Sequence, residues 1–340
     1  MDTAQTTVMR VATAALPSLA STTVIVPTTC VADRRVSLLN ALQSAGEQSG
    51  IPTKILVVVN GPDFDPALLD SLLAREDLNV IALKNADLPG ALLAGRRLVD
   101  TEYFCFLDDD DEILPNGLAL RLQALRERRD VAFVATNGYY QREGIDQLGV
   151  ANPEHVATDP LQAMTHECWL ASCGGLYRTA MIDAALLSGL PRFLEWTYLG
   201  LRLASKRRMH FLDQPTFRVY DSPDSLSKSA GYRAGSVAAI HAALELELPP
   251  PVARRLRTRL SDAHHDLAED HLNANEYRLA WKHHLTSLSQ PGGTKYLLFS
   301  RHLLPLWPRS SRLRGTERPE ASNPDNSARN RDESAQERTR

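Results

Sequence analysis

This 340-residue sequence predicts an α/β fold, a three-layer domain around a mostly parallel, mixed sheet, followed by a helical segment. Two observations carry that expectation. Short β-branched runs alternate with helical patterns about five times between Thr22 and Thr136, as strand–helix–strand crossovers require. From Ser236 to Leu304 strand signals disappear and helical composition takes over.

The elements follow in order. Thr22 to Val26 is a β-branched run stopped by Pro27, with the polar loop Thr28-Thr29-Cys30 after it. Asp33 opens a helical pattern with Val36, Leu39 and Leu42 on one face, ending near Gly46. Lys54 to Val59 is a second buried strand, closed by the turn Asn60-Gly61-Pro62. Pro66 to Ala74 predicts a helix, Asn79 to Leu83 a third strand, and Gly90 to Val99 a helix. Tyr103 to Leu107 is the fourth strand, Leu114 to Leu125 a helix with Pro115 in its first turn, and Val131 to Thr136 the fifth strand. Asn137 to His166 is polar and irregular. Trp169 to Tyr177 reads as a strand interrupted by Gly174-Gly175, where either a bulge or a close approach of backbone to ligand would ask for glycine. Thr179 to Leu187 and Phe193 to Ala204 predict helices, and Met209 to Tyr220 two strand pieces separated by Asp213-Gln214-Pro215. Arg255 to Leu288 resembles an antiparallel helix pair. The expected organisation is a flexible stretch over 1–20, an α/β domain over 21–232, a helical segment over 233–308 and a disordered polar tail over 309–340.

Composition narrows the class. A net charge of −3 argues against a nucleic-acid binder, which is usually strongly basic. Cys30, Cys105, Cys168 and Cys173 form neither a C-x-x-C pair nor a metal-type spacing, which fits reduced thiols in a cytoplasmic protein. Val11 to Ala20 imitates a secretory signal, but it is Ala/Thr-rich, contains Pro17, and a core strand begins at Thr22. No apolar run reaches the length of a membrane span.

The stretch that carries chemistry is Phe104 to Glu112, an apolar strand ending in the five carboxylates Asp108, Asp109, Asp110, Asp111 and Glu112. Open α/β sheets bind ligands at the C-terminal ends of their strands. Two carboxylates about 4 Å apart repel by roughly 4 kcal/mol at an effective dielectric near 20. Five in a row either splay into water or share a cation. Oxygen-only ligands suit Mg²⁺ or Mn²⁺. A solvated acidic turn before a helix is the alternative. An EF-hand loop is excluded, because Ile113 stands where that loop needs glycine.

In this order these landmarks resemble glycosyltransferase family 2, enzymes of GT-A fold that use nucleotide-sugar donors and invert the anomeric centre. The resemblance runs over residues 20–232 and is carried by Val24-Ile-Val-Pro-Thr28, Val57-Val-Val-Asn-Gly61, Tyr103 to Pro115, Gly174-Gly175 with Arg178, and Glu195 with Arg202. It implies a donor pocket lined by Pro27, Thr28 and Thr29, with Asn60 where the family usually has a base-contacting Asp. Asp108 and Asp110 match the family's D-x-D pair, Asp110 as metal ligand and Asp108 toward the ribose or a metal-bound water, with Asp109 beside them. Gly174 and Gly175 match a later donor-side landmark, and Glu195 the general base. Three departures stand out. Trp196 replaces the Asp of a Glu-Asp pair, an Ala-Arg-Asn element is replaced by Leu92-Leu93 and Arg96-Arg97, and a metal-side His after the last strand is missing, leaving Asp221 or Asp224 to substitute.

The implied activity is metal-dependent transfer of a sugar from a nucleotide sugar, UDP-linked by preference, to a saccharide or lipid-linked glycan. A nucleotidyltransferase is the enzyme alternative, although Thr28 to Arg35 makes a poor phosphate loop; a silent sugar-binding relative is the other. Trp169 and Trp196 suit either sugar stacking or core packing, and His155, His166 and His210 have no metal-type spacing. Residues 295–312 mix basic residues with Leu, Phe and Trp, which fits either a docked last helix or peripheral contact with the inner face of a membrane. Neither the donor sugar nor the oligomeric state is set by the sequence.

Overall fold

The structure, a computed structural model, describes residues 8–12, 21–221 and 231–304. The strands are β1 (Val8–Ala12), β2 (Thr22–Thr28), β3 (Thr53–Asn60), β4 (Leu78–Leu83), β5 (Tyr103–Phe106), β6 (Glu112–Ile113), β7 (Phe133–Arg142), β8 (Ile145–Leu148), β9 (Gly175–Arg178) and β10 (Met209–Tyr220). The helices of the same unit are α1 (Arg35–Gly46), α2 (Pro66–Leu73), α3 (Leu88–Arg97), α4 (Gly117–Glu127), α5 (Pro153–Thr158), α6 (Pro160–Met164, whose last residues fall in the second unit) and α7 (Glu195–Lys206).

Among the described residues the strands form one mixed sheet, ordered β1-β4-β3-β2-β5-β9-β7-β10-β6, with β8 on β7. β4, β3, β2 and β5 run parallel, and β10 runs parallel to β7. β9 is antiparallel to both β5 and β7. The strand alternation sorts side chains into two cores. Val24, Val26, Val57, Val59 and Cys105 face α1, α2 and α4. Ile25 and Phe106 point the other way: a Cβ on Gly95 of α3 would lie 2.5 Å from Ile25 Cγ2, and Trp196 of α7 meets the Phe106 ring at 5.5 Å. That is the layered α/β arrangement expected from the sequence.

Leaving β2, the order passes to β3 on one side and β5 on the other, so the strand ends of β2 and β5 bound a switch-point crevice. Pro27 helps to open it. The Leu107 N–H reaches the Ile25 carbonyl at 3.0 Å, so two residues on the Pro27 nitrogen also faces the β5 side. β5 has ended by then, and the missing donor costs nothing.

Several local expectations need correction. Val8–Ala12, within the stretch expected to be flexible, pairs antiparallel with β4. On α1 the buried positions are Leu38, Ala41, Leu42 and Ala45, while Val36 and Leu39 are exposed, because a 3-10 turn over Ala32–Arg34 rotates the helix that follows. The helix expected from Leu114 begins at Gly117. Before it, Glu112–Ile113 pairs with Phe217 and Arg218 of β10, and Asn116 adopts a left-handed φ of 63°. Trp169 to Tyr177 is strand only from Gly175, after a 3-10 turn over Ser172–Gly174. The segment from Thr179 holds only a 3-10 turn, Ala184–Leu187, capped by Asp183. β10 is one strand bent at Pro215, where its register shifts. β7 continues into a hairpin with β8 through Glu143-Gly144, both at positive φ, the turn a right-twisted hairpin favours.

Among the described residues, a second compact unit comprises Gln162–Cys168 and residues 231–304. Its described helices are α8 (Tyr232–Leu244), α9 (Pro250–Asn273), α10 (Tyr277–Leu288) and α11 (Ser300–Leu303), with a 3-10 stretch over Gly293–Phe299. Contacts of Ser261 with Ser287, His264 with His283 and His271 with Glu276 rise on α9 as they fall toward the start of α10, so the two helices are antiparallel. The tail over 309–340 lies outside the described residues. Among those described, no helix is long and apolar enough to cross a membrane.

Candidate active site

The five carboxylates leave β5 through a tight turn, in which the Asp111 N–H bonds the Asp108 carbonyl at 3.2 Å, and return along β10 as β6. That path gives each a different neighbourhood. Asp109 is almost fully buried. It accepts from the Thr28 hydroxyl at 2.5 Å and from the Arg34 guanidinium, whose other nitrogen reaches Asp110 at 3.2 Å. Asp111, equally buried, accepts from the Tyr220 N–H at 3.3 Å and from Ser172 and Cys173 at 3.4 and 3.5 Å. Glu112 holds Arg218 and the Tyr220 hydroxyl. Asp109, Asp111 and Glu112 are thus held by the buried turn and by the last strand. Asp108, to which Ser172 hydrogen-bonds, and Asp110, paired with Arg34, are both partly exposed at the crevice.

Electrostatics favour a cation there. Burial pushes the Asp108 carboxyl up to about 7, and the charges of Asp110, Asp109 and Glu195 push in the same direction against a Ser172 hydrogen bond. Burial also raises Asp109, although Arg34 and Thr28 oppose it, and raises Asp111 well above the usual range, with Asp108 and Asp110 adding to that. Oxygen donors crowded in this way fit a hard divalent ion, which would relieve the repulsion. Among the described residues no three His, Cys, Asp or Glu side chains are arranged to hold a metal. Two carboxylates and oxygens from a bound phosphate would complete such a coordination sphere.

The charge of Glu195 is among those acting on Asp108. It opens α7 directly after Phe193 and Leu194, both at left-handed φ, 68° and 52°. Neither is glycine, so the backbone there is strained. The strain places the Glu195 carboxylate back over its own turn, where Oε1 accepts the Phe193 N–H at 2.8 Å. Burial raises its pKa, while the N–H groups of Glu195 and Phe193 and the charge of Arg192 oppose. A buried carboxylate with a raised pKa is suited to taking a proton. Trp196, in place of a second acid, is half-buried against Phe106.

The other expected residues lie as follows. Thr28 is buried and its hydroxyl also accepts the Cys30 N–H at 2.9 Å; Thr29 is exposed at the rim. Asn60 spends Oδ1 on the Asp87 N–H at 2.7 Å, and Asp87 caps α3, so the amide ties the end of β3 to the loop across from it. Gly174 and Gly175 are buried. A Cβ on either would collide with the Phe217 ring at 2.8 Å or the Tyr177 hydroxyl at 2.4 Å, so ring packing explains both glycines. Asp221 is exposed at the end of β10, its N–H bonded to the Gln141 carbonyl; Asp224 lies outside the described residues. Sequence reasoning missed Arg34 and Ser172. Arg34 had a faint signal as a cation in the loop after the first strand, and Ser172 had none.

The model of the family described as glycosyl transferase family 2 matches residues 23–172, the stretch from β2 to the turn before β9. Among solved structures, S. aureus TarS 1-349 in complex with UDP-GlcNAc is 15% identical, with a TM-score of 0.52 over 72% of this chain and 73% of that one. The same protein in complex with UDP is 16% identical, with a TM-score of 0.46 over 72% and 71%. The first likeness shows the fold, the GT-A type. Comparison with curated protein sequences gives no match.

Proposed function

We propose that this chain, which carries a glycosyl transferase family 2 domain over residues 23–172, moves a sugar from a UDP-linked donor to a hydroxyl of a saccharide or lipid-linked glycan, with inversion. The observation that supports this reading most is the division of labour among the acids. The fold uses Asp109, Asp111 and Glu112 internally, while Asp108 and Asp110 stay partly exposed at the strand end, with Asp108 in the field of the buried Glu195. S. aureus TarS 1-349, of like fold, is in complex with UDP-GlcNAc, which points to the uridine donor.

In this reading the donor lies in the crevice between the ends of β2 and β5. Pro27, Thr28 and Thr29 border its nucleoside, and Asn60 holds the opposite loop in place. Asp108 and Asp110 would hold a divalent ion, which when bound neutralises the departing diphosphate as a Lewis acid. Arg34 keeps the buried Asp109 charged and compensated, so Asp109 does not compete for that ion. Glu195 takes the proton from the acceptor hydroxyl at the carboxylate oxygen not held by the Phe193 N–H. With Trp196 in place of a second acid, it acts as base alone. The exposed side of Trp196 beside it offers a platform for a sugar ring.

A thermal-shift panel of nucleotide sugars with and without Mn²⁺ tests the reading. A ligand at about a hundred times its Kd adds about 2.7 kcal/mol of apparent stability. A shift confined to uridine donors with Mn²⁺ is expected. No shift with any nucleoside diphosphate sugar, or a metal-dependent shift with nucleoside triphosphates alone, would reject it; the latter would favour a nucleotidyltransferase.

A further inference from the structure

Arg34 touches two acids in different ways. Backbone hydrogen bonds fix the turn that carries it: the Asp65 N–H bonds the Cys30 carbonyl at 2.9 Å, and the Arg34 N–H bonds the Val31 carbonyl at 3.0 Å. From there one guanidinium nitrogen, Nη1, pairs with Asp109, whose side chain is 6% exposed and also accepts from the Thr28 hydroxyl. The other, Nη2, reaches Asp110 Oδ2 at 3.2 Å, and the Asp110 side chain is 21% exposed. The first contact is closed off from water and the second is open to it. An exposed ion pair is worth little, whereas taking the partner from a buried charge is strongly destabilising. Arg34 is therefore anchored at Nη1 and exchangeable at Nη2.

Asp110 is also one of the two acids proposed above to hold a divalent ion, and the inference rests on that reading. With Nη2 on it, Asp110 is already compensated, and the guanidinium repels a second cation brought to the same carboxylate. Arg34 keeps its charge throughout, because Asp109, Asp110 and Asp108 all favour the charged form. A nucleoside diphosphate in the crevice changes the balance, since phosphate oxygens are strong acceptors for a guanidinium.

We propose that Arg34 is the resting counter-ion of the site. Its Nη2 occupies Asp110 until a nucleoside diphosphate is bound, then turns to the phosphates while Nη1 stays on Asp109, and Asp110 is left to the divalent ion. Metal and nucleotide then bind with positive coupling, each strengthening the other by the same factor. The compensation of Asp109 already assigned to Arg34 needs Nη1 alone, so the two roles are separable.

Arg34→Lys separates them, since a single ammonium can serve the buried Asp109 but lacks the fork that bridges both acids. Mn²⁺ binding to the full chain, read from the paramagnetic resonance signal of the free ion, reports the outcome without turnover. Wild type should bind Mn²⁺ at least about tenfold more tightly with saturating UDP than without it. Without UDP, Arg34→Lys should bind Mn²⁺ about threefold more tightly than wild type, as expected for removal of an exposed ion pair, and it should gain less from UDP. Calorimetry in EDTA should show UDP binding weakened by a similar factor in Arg34→Lys. Arg34→Met with Asp109→Asn removes both members of the buried pair and should reproduce the gain in Mn²⁺ affinity, which keeps the test open should Arg34→Lys fold poorly. Equal or weaker Mn²⁺ affinity in the variants overturns the proposal, weaker affinity being the mark of an arginine that orients Asp110 for the ion. Where wild type still binds UDP and Mn²⁺, only the role of Arg34 falls; a wild type that binds neither rejects the proposed function with it.

Discussion

Replacing Glu195 by Gln separates its chemistry from its place in the fold. The amide keeps an oxygen at the position where Oε1 accepts the Phe193 N–H, so the left-handed turn through Phe193 and Leu194 keeps its partner. The change in stability should stay within about 1 kcal/mol. What is lost is the basic oxygen. General-base help of about 10²–10⁴-fold corresponds to roughly 3–5 kcal/mol of transition-state stabilisation, and turnover should fall by that factor. Donor binding should not change, because the Glu195→Gln substitution leaves Asp108 and Asp110 in place. The pH profile gives a second readout. Burial raises the Glu195 pKa, so the wild-type rate should fall with acidification at a pH above the ordinary glutamate value, and the Glu195→Gln variant should lack that limb. The assay is steady-state release of nucleoside diphosphate across pH, with calorimetric titration of the nucleotide and Mn²⁺. Near-normal turnover in a variant that still binds donor would refute the role of Glu195 as base.

Three further outcomes follow from the geometry. Asp110→Asn should leave the fold intact, since Asp110 is partly exposed, yet cost at least about a hundredfold in metal-dependent nucleotide affinity by calorimetry. Arg34→Met strands the buried Asp109 with the Thr28 hydroxyl alone; because Arg34 is itself a quarter exposed, about 2 kcal/mol of stability should be lost in urea denaturation at neutral pH, and Asp109→Asn in the same chain should restore most of it. In the helical unit, burial and the neighbouring His283, His241 and Lys282 push His264 down to about 4, below its ordinary 6.5. The unfolded chain therefore takes up that proton first, so stability should fall as pH drops from 6.5 toward 4, by on the order of 3 kcal/mol, and His264→Gln should flatten the slope followed by circular dichroism.

The parts of this architecture legible in the sequence are those set by local pattern. The β-branched run of β2, the apolar end of β5 and the Asn-Gly turn after β3 each announce themselves within a few residues. So do the acids at the strand end, which lie within the residues 23–172 that the family model matches. What escaped depends on partners far along the chain. Nothing near Asp109 or Asp111 distinguishes them from Asp108 and Asp110. The difference is Thr28, 81 residues earlier, and Tyr220, 109 residues later. The Gly174-Gly175 pair reads as either a bulge or a ligand approach, and only the structure shows Phe217 and Tyr177 where a Cβ on each would stand. Likewise the helix expected at Leu114 starts only at Gly117, because the Leu114 N–H bonds the Thr216 carbonyl of β10, which no local propensity records.

The pairing of β6 with β10 also sets an order of events. The turn bearing the acids is fastened at one end by β5 and at the other by Phe217, Arg218 and the Tyr220 N–H. A ribosome making this chain passes the carboxylates about halfway through the domain, but the strand that fixes them is among its last. Until Tyr220 has emerged, the acids have neither their final spacing nor their final charges, and the nascent chain lacks the rigid pair that would hold a cation. Contacts this distant in sequence close slowly. Acquisition of the candidate active site is thereby tied to completion of the sheet, and a chain truncated within β10 would fold its first strands and still present only an acidic loop.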